Sequence, residues 1–261
     1  MCQDACERTD DLTTWLELAQ AIAKETGELL AEGRATEAKL IGVDGREVKV
    51  SADRRSEERI IGRLQEKSDF DILSEESGTV PGCSGDPEWR WIVDPLDGSA
   101  NYLLGVPFSC VSVGLWRKDE PILGTVYDFN RRELFGGIVG MGAWLNGVPI
   151  RVGPAREPQD AVLCTGFPVG TDFSSGALTS FVSQVRSYRK IRMLGSAALS
   201  LAYVAAGRAD AYFERDIRTW DVAAGLAIVL AAGGWMIRSA SERPETLTLY
   251  AGPRTSTSLC P

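Results

Sequence analysis

The order in which helices and strands follow one another most constrains the fold of this 261-residue chain. Apolar spacing predicts helices from about Leu12 to Leu30 and from Ala52 to Gln65, separated by a glycine-broken loop or hairpin over Glu32 to Val48. Short apolar runs bounded by turn residues predict strands from Phe70 to Pro149. After Gly153 to Asp160, which contains two prolines, strands and helices alternate. Such alternation is typical of layered α/β structure.

We place the boundary between two sub-domains in this proline-containing segment. We expect an N-terminal α+β sub-domain, residues 1–152, and a C-terminal α/β sub-domain, residues 153–261, within one domain overall. The predicted C-terminal elements are, in order, strand Ala161 to Thr165, helix Ala177 to Ser187, strand Lys190 to Leu194, helix Ala197 to Ala206, strand Ala209 to Phe213, helix Val222 to Ala232 and strand Trp235 to Ile237.

The absence of histidine removes several classes of chemistry. Without an imidazole there is no Ser-His-Asp or Cys-His nucleophile system, no histidine general base and no histidine-ligated zinc. The chain carries 36 Asp and Glu against 28 Lys and Arg, a net charge of -8. An acidic protein is poorly suited to bind nucleic acid, because that binding needs net positive charge, but it can concentrate divalent cations.

The cysteines and the apolar runs bear on location. The six cysteines are scattered and form no C-x-x-C pair, so we expect reduced thiols. The N-terminus does not resemble a signal peptide, and the longest apolar stretch, Val222 to Ile237, is shorter than a membrane span and interrupted by glycine. We therefore expect a soluble, cytoplasmic protein that does not bind membranes.

Three acidic motifs stand out along the chain. They are Glu75-Glu76 after a strand-like segment, Asp94-Pro95-Leu96-Asp97-Gly98-Ser99 at the end of an apolar strand, and Trp220-Asp221-Val222-Ala223-Ala224-Gly225 before an apolar helix. Taken singly, each has a simple explanation as loop charges, a turn or a helix cap. Taken together they indicate a site for a bound cation, because adjacent buried carboxylates are costly unless a cation neutralises them.

The second motif combines the parts of a metal-assisted phosphate site. Carboxylates and a backbone carbonyl are the hard oxygen ligands that Mg²⁺ prefers, and the Leu96 carbonyl follows a proline that fixes the chain. Gly98 and Ser99 can begin a helical turn whose free N–H groups bind an anion. This pairing is what metal-assisted hydrolysis of a phosphate ester requires.

These motifs resemble the inositol monophosphatase family, within the fructose-1,6-bisphosphatase superfamily of Mg²⁺-dependent, lithium-sensitive phosphatases. The family pattern has E-E, D-P-[IL]-D-G-[ST] and W-D-x-A-A-G in this order, and the resemblance extends from about Leu12 to Pro253. It implies a layered αβαβα sandwich and a phosphomonoesterase acting on a small polyol or sugar phosphate, most often an inositol phosphate. It also implies a homodimer, two or three Mg²⁺ ions, Mn²⁺ as a substitute, and inhibition by Li⁺ and Ca²⁺.

The resemblance also assigns roles by position. It implies that Glu75, Asp94 and the Leu96 carbonyl hold one Mg²⁺, that Asp94, Asp97 and Asp221 hold a second, and that Glu75 contacts a third. Glu75 and Ser99 would orient the attacking water, with Asp53 paired to the Ser99 hydroxyl. The Gly98 and Ser99 N–H groups would bind the phosphate. Contacts to the substrate would come from Asp97, Gly195, Ser196, Ala197 and Glu214.

The chain departs from the family pattern at three places, which leaves the substrate open. Ser74 stands where a glycine often precedes the E-E pair, the T-x-x-D segment leading to Asp53 is weakened, and Arg215 and Arg218 make the segment after Glu214 more charged. The two arginines either lie on the surface or contact a second anionic group. Alternative substrates are 3'-phosphoadenosine 5'-phosphate, histidinol phosphate and fructose 1,6-bisphosphate. A catalytically silent relative that binds a partner protein, or a cation buffer, remains an alternative of another class.

Overall fold

The computed structural model describes residues 12–44, 47–83, 87–168 and 170–254. Within these ranges the chain forms six α-helices, which we number in chain order: α1 (Leu12–Glu37), α2 (Ser51–Gln65), α3 (Ser99–Leu104), α4 (Ser175–Val185), α5 (Ala197–Ala205) and α6 (Thr219–Ala231). Helix α1 packs along strands of the large sheet and buries one apolar face that includes Leu16, Ala19, Ile22 and Ala23.

The strands form a hairpin and two sheets. The hairpin pairs β1 (Leu40–Asp44) with β2 (Glu47–Val50). The large sheet has the order β10-β9-β8-β7-β6-β5-β3-β4 and is antiparallel except where β3 pairs with β5. Its strands are β3 (Asp71–Ser74), β4 (Gly78–Val80), β5 (Trp89–Asp97), β6 (Cys110–Arg117), β7 (Glu120–Asp128), β8 (Glu133–Ile138), β9 (Gly142–Leu145) and β10 (Val148–Ile150).

The small sheet follows the large one in the chain. Its order is β12-β11-β13-β15-β14, with β11 parallel to both its neighbours and β15 antiparallel to both of its own. Its strands are β11 (Val162–Cys164), β12 (Lys190–Arg192), β13 (Ala211–Arg218), β14 (Trp235–Ala240) and β15 (Thr246–Gly252).

The elements stack in five layers. Helices α1 and α2 cover the outer face of the large sheet, and α5 and α6 lie between the two sheets. On the far side of the small sheet, Val185 at the end of α4 packs against a cluster that includes Leu163 and Phe213. This order confirms the predicted αβαβα sandwich. The division into two sub-domains stays a prediction, and one apolar cluster includes residues of both sheets.

Small residues let α6 lie directly on the large sheet. A Cβ atom added to Gly124 of β7 would stand 2.3 Å from the Ala224 carbonyl oxygen, and one added to Gly225 would stand 2.6 Å from Leu201 of α5. Both distances are shorter than any real contact, so glycine is required at these approaches. The Ala-Ala-Gly part of the third acidic motif therefore seats the helix that carries Asp221.

Several predicted boundaries were wrong. Helix α1 does not end near Leu30 but continues to Glu37, so the hairpin is confined to Leu40 to Val50. Gly33, inside the added part of the helix, lowers helix stability by only about 1 kcal/mol relative to alanine, and tertiary contacts offset this loss. Among them, Arg34 donates to the Tyr102 carbonyl at 3.1 Å.

In the C-terminal half, β13 extends beyond Phe213 to Arg218, and β14 reaches Ala240. Strand β15 was not predicted. Asp221 does not precede its helix but is the third residue of α6.

Two absences apply to the described part of the chain. No helix there combines the length and the apolar character needed to cross a bilayer. The cysteines there, Cys83, Cys110 and Cys164, are free, as predicted. The other three, Cys2, Cys6 and Cys260, lie outside the described residues.

Candidate active site

A bulge in β5 brings the two aspartates of the second motif to one face. In a regular strand, residues three apart point to opposite faces. Here Asp94 pairs with Ser112 and Asp97 with Cys110, so β5 has one residue more than β6 over this interval. Because Cys110 and Ser112 share a face, Asp94 and Asp97 do too. Pro95 lies inside the bulge, where its missing N–H costs no ladder hydrogen bond.

The Asp97 carboxylate is anchored to the beginning of α5. Its Oδ2 accepts hydrogen bonds from the Ser196 hydroxyl at 2.6 Å and the Ala198 N–H at 2.7 Å. The Ser196 hydroxyl also accepts from the Leu199 N–H, so it caps the helix. Burial raises the pKa of the Cys110 thiol, which stays protonated and lies 3.8 Å from the same carboxylate oxygen. One oxygen of Asp97 is thus fixed by the protein.

Ser99 lies between two acceptors at the first position of α3. Its hydroxyl lies 2.9 Å from the Leu96 carbonyl oxygen and 3.3 Å from Asp53 Oδ1. Asp53 is buried, and its Oδ2 accepts from the Val50 N–H at 2.7 Å. The altered segment before Asp53 therefore leaves the predicted contact between Asp53 and Ser99 intact. The preceding Gly98 has a φ of 87°, which favours glycine.

Glu57, which sequence reasoning missed, holds the turn that carries Glu75. Its Oε1 accepts from the backbone N–H groups of Glu76 at 3.2 Å and Ser77 at 2.9 Å, and its Oε2 accepts from the Ser77 hydroxyl at 2.6 Å. Glu57 is buried and lies one helical turn after Asp53 on α2. The spacing of four residues was a visible signal, but the partner turn was not.

One cleft of about 240 Å³ collects nearly all the predicted site residues. Only Asp53 is not part of its wall, since it lies behind Ser99. Thr165 to Pro168, Ser200 and Ile217 also line it and were not predicted. The predicted residues on the wall are Glu75, Asp94, Leu96, Asp97, Gly98, Ser99, Gly195, Ser196, Ala197, Glu214 and Asp221.

The carboxylates in this cleft repel one another. Burial and the charges of Glu75, Asp97 and Asp221 raise the pKa of Asp94 well above its ordinary value. Burial and the charges of Glu75 and Asp97 do the same for Asp221, while burial raises the pKa of Asp97 to about 6. The cleft therefore favours a bound cation or proton that reduces its negative charge.

The donor set fits a hard cation such as Mg²⁺. Carboxylates and Leu96 line the cleft, so they can offer the oxygen ligands that Mg²⁺ prefers. However, within the described residues no three acidic or cysteine side chains are grouped closely enough to form a ready-made metal site. The fit therefore rests on donor chemistry and on the raised pKa values, and the individual ligand roles stay predictions.

Glu214, which also lines the cleft, is a weaker acid than an exposed glutamate. Burial raises the pKa of Glu214 to about 8, and the charge of Asp97 adds to this effect. A neutral carboxyl at this position can both donate and accept hydrogen bonds, which suits a hydroxyl-bearing ligand.

The two arginines of this segment do not line the carboxylate cleft, although the charge of Arg218 lowers the pKa of Asp221. Arg215 is exposed, donates to Ser180 at 3.3 Å and lies over the Phe213 ring. Arg218 lies over Trp220 and donates to the Pro244 carbonyl. These contacts agree better with the prediction that the two arginines lie on the surface than with the alternative that they contact a second anionic group.

A cleft lined by several carboxylates is typical of metal-assisted phosphatases. A model of the inositol monophosphatase family matches residues 11–256. The chain therefore belongs to the inositol monophosphatase family, and a phosphatase role fits this membership.

Similar proteins agree in fold and differ in name. Nus factor SuhB of Xylella fastidiosa is 40% identical over 210 residues, which cover 77% of this chain and 75% of that protein. Inositol-1-monophosphatase of Rhizobium meliloti is 37% identical over 221 residues, 84% of this chain and 82% of that protein. The solved structure of an inositol monophosphatase from Anabaena has a TM-score of 0.79 and 33% identity, covering 93% of this chain and 91% of that one.

Proposed function

We propose that this protein is a Mg²⁺-dependent phosphomonoesterase that hydrolyses the phosphate ester of a small polyol, most often an inositol phosphate. In this reaction water adds to phosphorus, the bond from phosphorus to the alcohol oxygen breaks, and the alcohol takes up a proton. The observation that carries the proposal is the convergence of Glu75, Asp94, Asp97 and Asp221, from three separate segments, on one cleft.

Ser99 and Glu75 are proposed to prepare the attacking water. The Ser99 proton is directed to Leu96 O or Asp53 Oδ1, which leaves hydroxyl lone pairs to accept a hydrogen bond from water. Glu75, on the same cleft, is the proposed acceptor of the proton that the water loses. Asp53 acts through Ser99 and is a positioning residue.

Other residues would hold the substrate. The backbone N–H groups at Gly98 and Ser99 would bind phosphate oxygens, as the resemblance implies. Glu214 and the segment from Gly195 to Ala197, which line the same cleft, would contact the hydroxyl groups of the polyol. A Glu214 side chain that is largely protonated at neutral pH can donate to such a hydroxyl.

The cation is assigned to the carboxylates. Glu75, Asp94, Asp97, Asp221 and the Leu96 carbonyl are the proposed ligands of two or three Mg²⁺ ions. When bound, Mg²⁺ would neutralise charge on the phosphate and make water more acidic. By family membership we further expect Mn²⁺ to substitute, and Li⁺ and Ca²⁺ to inhibit.

Phosphate release from a substrate panel tests the proposal. The panel contains myo-inositol 1-phosphate, fructose 1,6-bisphosphate, histidinol phosphate and 3'-phosphoadenosine 5'-phosphate, each with and without Mg²⁺. The Asp94→Asn variant should lose release from the preferred substrate, whereas Asp119→Asn, an exposed residue of a turn, should keep it. A preference for another member of the panel would replace the inositol phosphate assignment. Full activity of Asp94→Asn would refute the proposed site.

A second role is supported by the SuhB relatives, which are named Nus factors. Under this proposal the chain would also act by binding a partner, independently of hydrolysis. The test is whether the inactive Asp94→Asn variant replaces SuhB in an Escherichia coli strain that lacks it. Replacement by wild type and not by the variant would tie the role to catalysis. The homodimer and the cytoplasmic location stay predictions.

A further inference from the structure

A second cavity of about 250 Å³ opens beside the carboxylate cleft. The two share the segment from Thr165 to Pro168 and the side chain of Glu214. The other walls of the second cavity combine apolar and charged side chains. The apolar ones include Leu178 and Phe181 of α4 and Phe213 of β13, and the charged ones are Asp172, Arg215 and Asp216. The two cavities are therefore neighbours along this segment.

Helix α4 presents an apolar side that the protein covers only in part. Its sequence includes Ala177, Leu178 and Phe181, yet none of its eleven residues is buried. An apolar helix face ordinarily packs against a core. Here that side lines the cavity instead, so a ligand in the cavity would remove it from water.

The cavity also contains aromatic rings in orientations that suit another ring. The rings of Phe167 and Phe181 both line it, with centroids 4.6 Å apart and tilted planes. Aromatic rings favour offset and edge-to-face neighbours at such separations. The volume is below the roughly 300–1,000 Å³ of sites that enclose a drug-sized ligand, so it suits a single small group.

Two polar atoms on the cavity wall have no protein partner. Thr165 is 4% exposed, and its hydroxyl makes no hydrogen bond to any described residue. The Gln184 side-chain oxygen on α4 likewise makes no hydrogen bond to any described residue. Buried polar atoms are costly to leave unpaired, so an aromatic ring that carries a polar substituent would gain more here than an unsubstituted ring.

We propose that this cavity is a subsite for an aromatic ring carried by the alcohol part of the phosphomonoester. The inference rests on the proposed function, because it needs the phosphate to lie in the carboxylate cleft. It adds a preference to that function: of two phosphate esters that differ only by an aromatic ring on the alcohol, the ester that bears the ring is preferred.

Two esters with the same kind of leaving group test the subsite. Ethyl phosphate and 2-phenylethyl phosphate both release a primary alcohol, so their kcat/KM values differ mainly by the ring. We expect the wild type to favour the phenyl ester at least about tenfold, the lower end of what one apolar contact contributes to discrimination. Phe181→Ala should bring the ratio close to one without changing ethyl phosphate turnover. Val182→Ala, the next residue and 54% exposed, is the control.

Ligand binding measured by NMR tests the subsite independently of hydrolysis. Broadening of the phenyl proton signals of 2-phenylethyl phosphate by wild type and Val182→Ala, but not by Phe181→Ala, supports the subsite even if neither ester is hydrolysed. Absence of hydrolysis of every phosphate ester would refute only the proposed function. Equal kcat/KM values for both esters, or equal broadening by all three proteins, would overturn the subsite.

Discussion

Glu57 offers a sharp test of how the site is held in place, because it touches no predicted ligand directly. It accepts three hydrogen bonds from the turn after β3, which carries Glu75. At about 1 kcal/mol for each bond, Glu57→Ala should reduce the free energy of unfolding by about 3 kcal/mol. For a chain of this size that corresponds to a fall in Tm of about 6–12 °C.

The effect on function should be larger than the effect on stability suggests. Residues that orient metal ligands typically change metal affinity by about 10–100-fold when removed. We expect Glu57→Ala to raise by this factor the Mg²⁺ concentration that half-activates phosphate release, measured at a temperature where the variant is folded. Glu57→Gln should stay within about threefold of wild type, since its amide can bond both backbone N–H groups and Ser77.

The neighbouring Glu58 provides the control. It lies on the same helix and is exposed, so Glu58→Ala should leave both Tm and Mg²⁺ activation unchanged. Wild-type Mg²⁺ activation in Glu57→Ala would show that the turn does not need this carboxylate. A Glu57→Gln variant as impaired as Glu57→Ala would show that charge, rather than hydrogen bonding, is what matters.

Three further predictions concern pH, catalysis and packing. Since the pKa values of Asp94 and Asp221 are raised in the folded protein, the metal-free protein should lose stability as the pH rises above about 4. Because Mg²⁺ competes with protons, it should then raise Tm more at pH 8 than at pH 5.5 in calorimetry. Ser99→Ala should lower kcat by about 100-fold in phosphate-release assays, and an unchanged kcat would exclude its role with water. Gly124→Ala should cost about 1–3 kcal/mol in denaturant unfolding, because its Cβ would overlap Ala224 on α6.

The order of layers was predictable from the sequence, while the exact ends of elements were not. The alternation after residue 160 correctly indicated layered structure. Helix α1 was cut short at Leu30 because glycine lowers helix propensity. In the structure the helix continues through Gly33, because tertiary contacts such as the hydrogen bond from Arg34 to the Tyr102 carbonyl hold its last turns. Such a tertiary contact cannot be inferred from propensity.

The site was predictable as a set of motifs but not as a geometry. The spacing of Asp94 and Asp97 places them on opposite faces of a regular strand, and only the bulge observed in β5 reunites them. Asp53 and Ser99 were paired through the family resemblance, and the structure brings them together at 3.3 Å. Glu57 was missed because its partners lie about twenty residues away, in a turn whose position depends on the folded sheet.

The Mg²⁺ dependence of phosphate release from myo-inositol 1-phosphate tests the central claim most directly. The claim is that the cleft formed by Glu75, Asp94, Asp97 and Asp221 uses a divalent cation to hydrolyse a phosphomonoester. It predicts no release in EDTA, saturable release as Mg²⁺ is added, and loss of that release in Asp221→Asn. Equal release in EDTA and in Mg²⁺, or saturable wild-type release by Asp221→Asn, would contradict it.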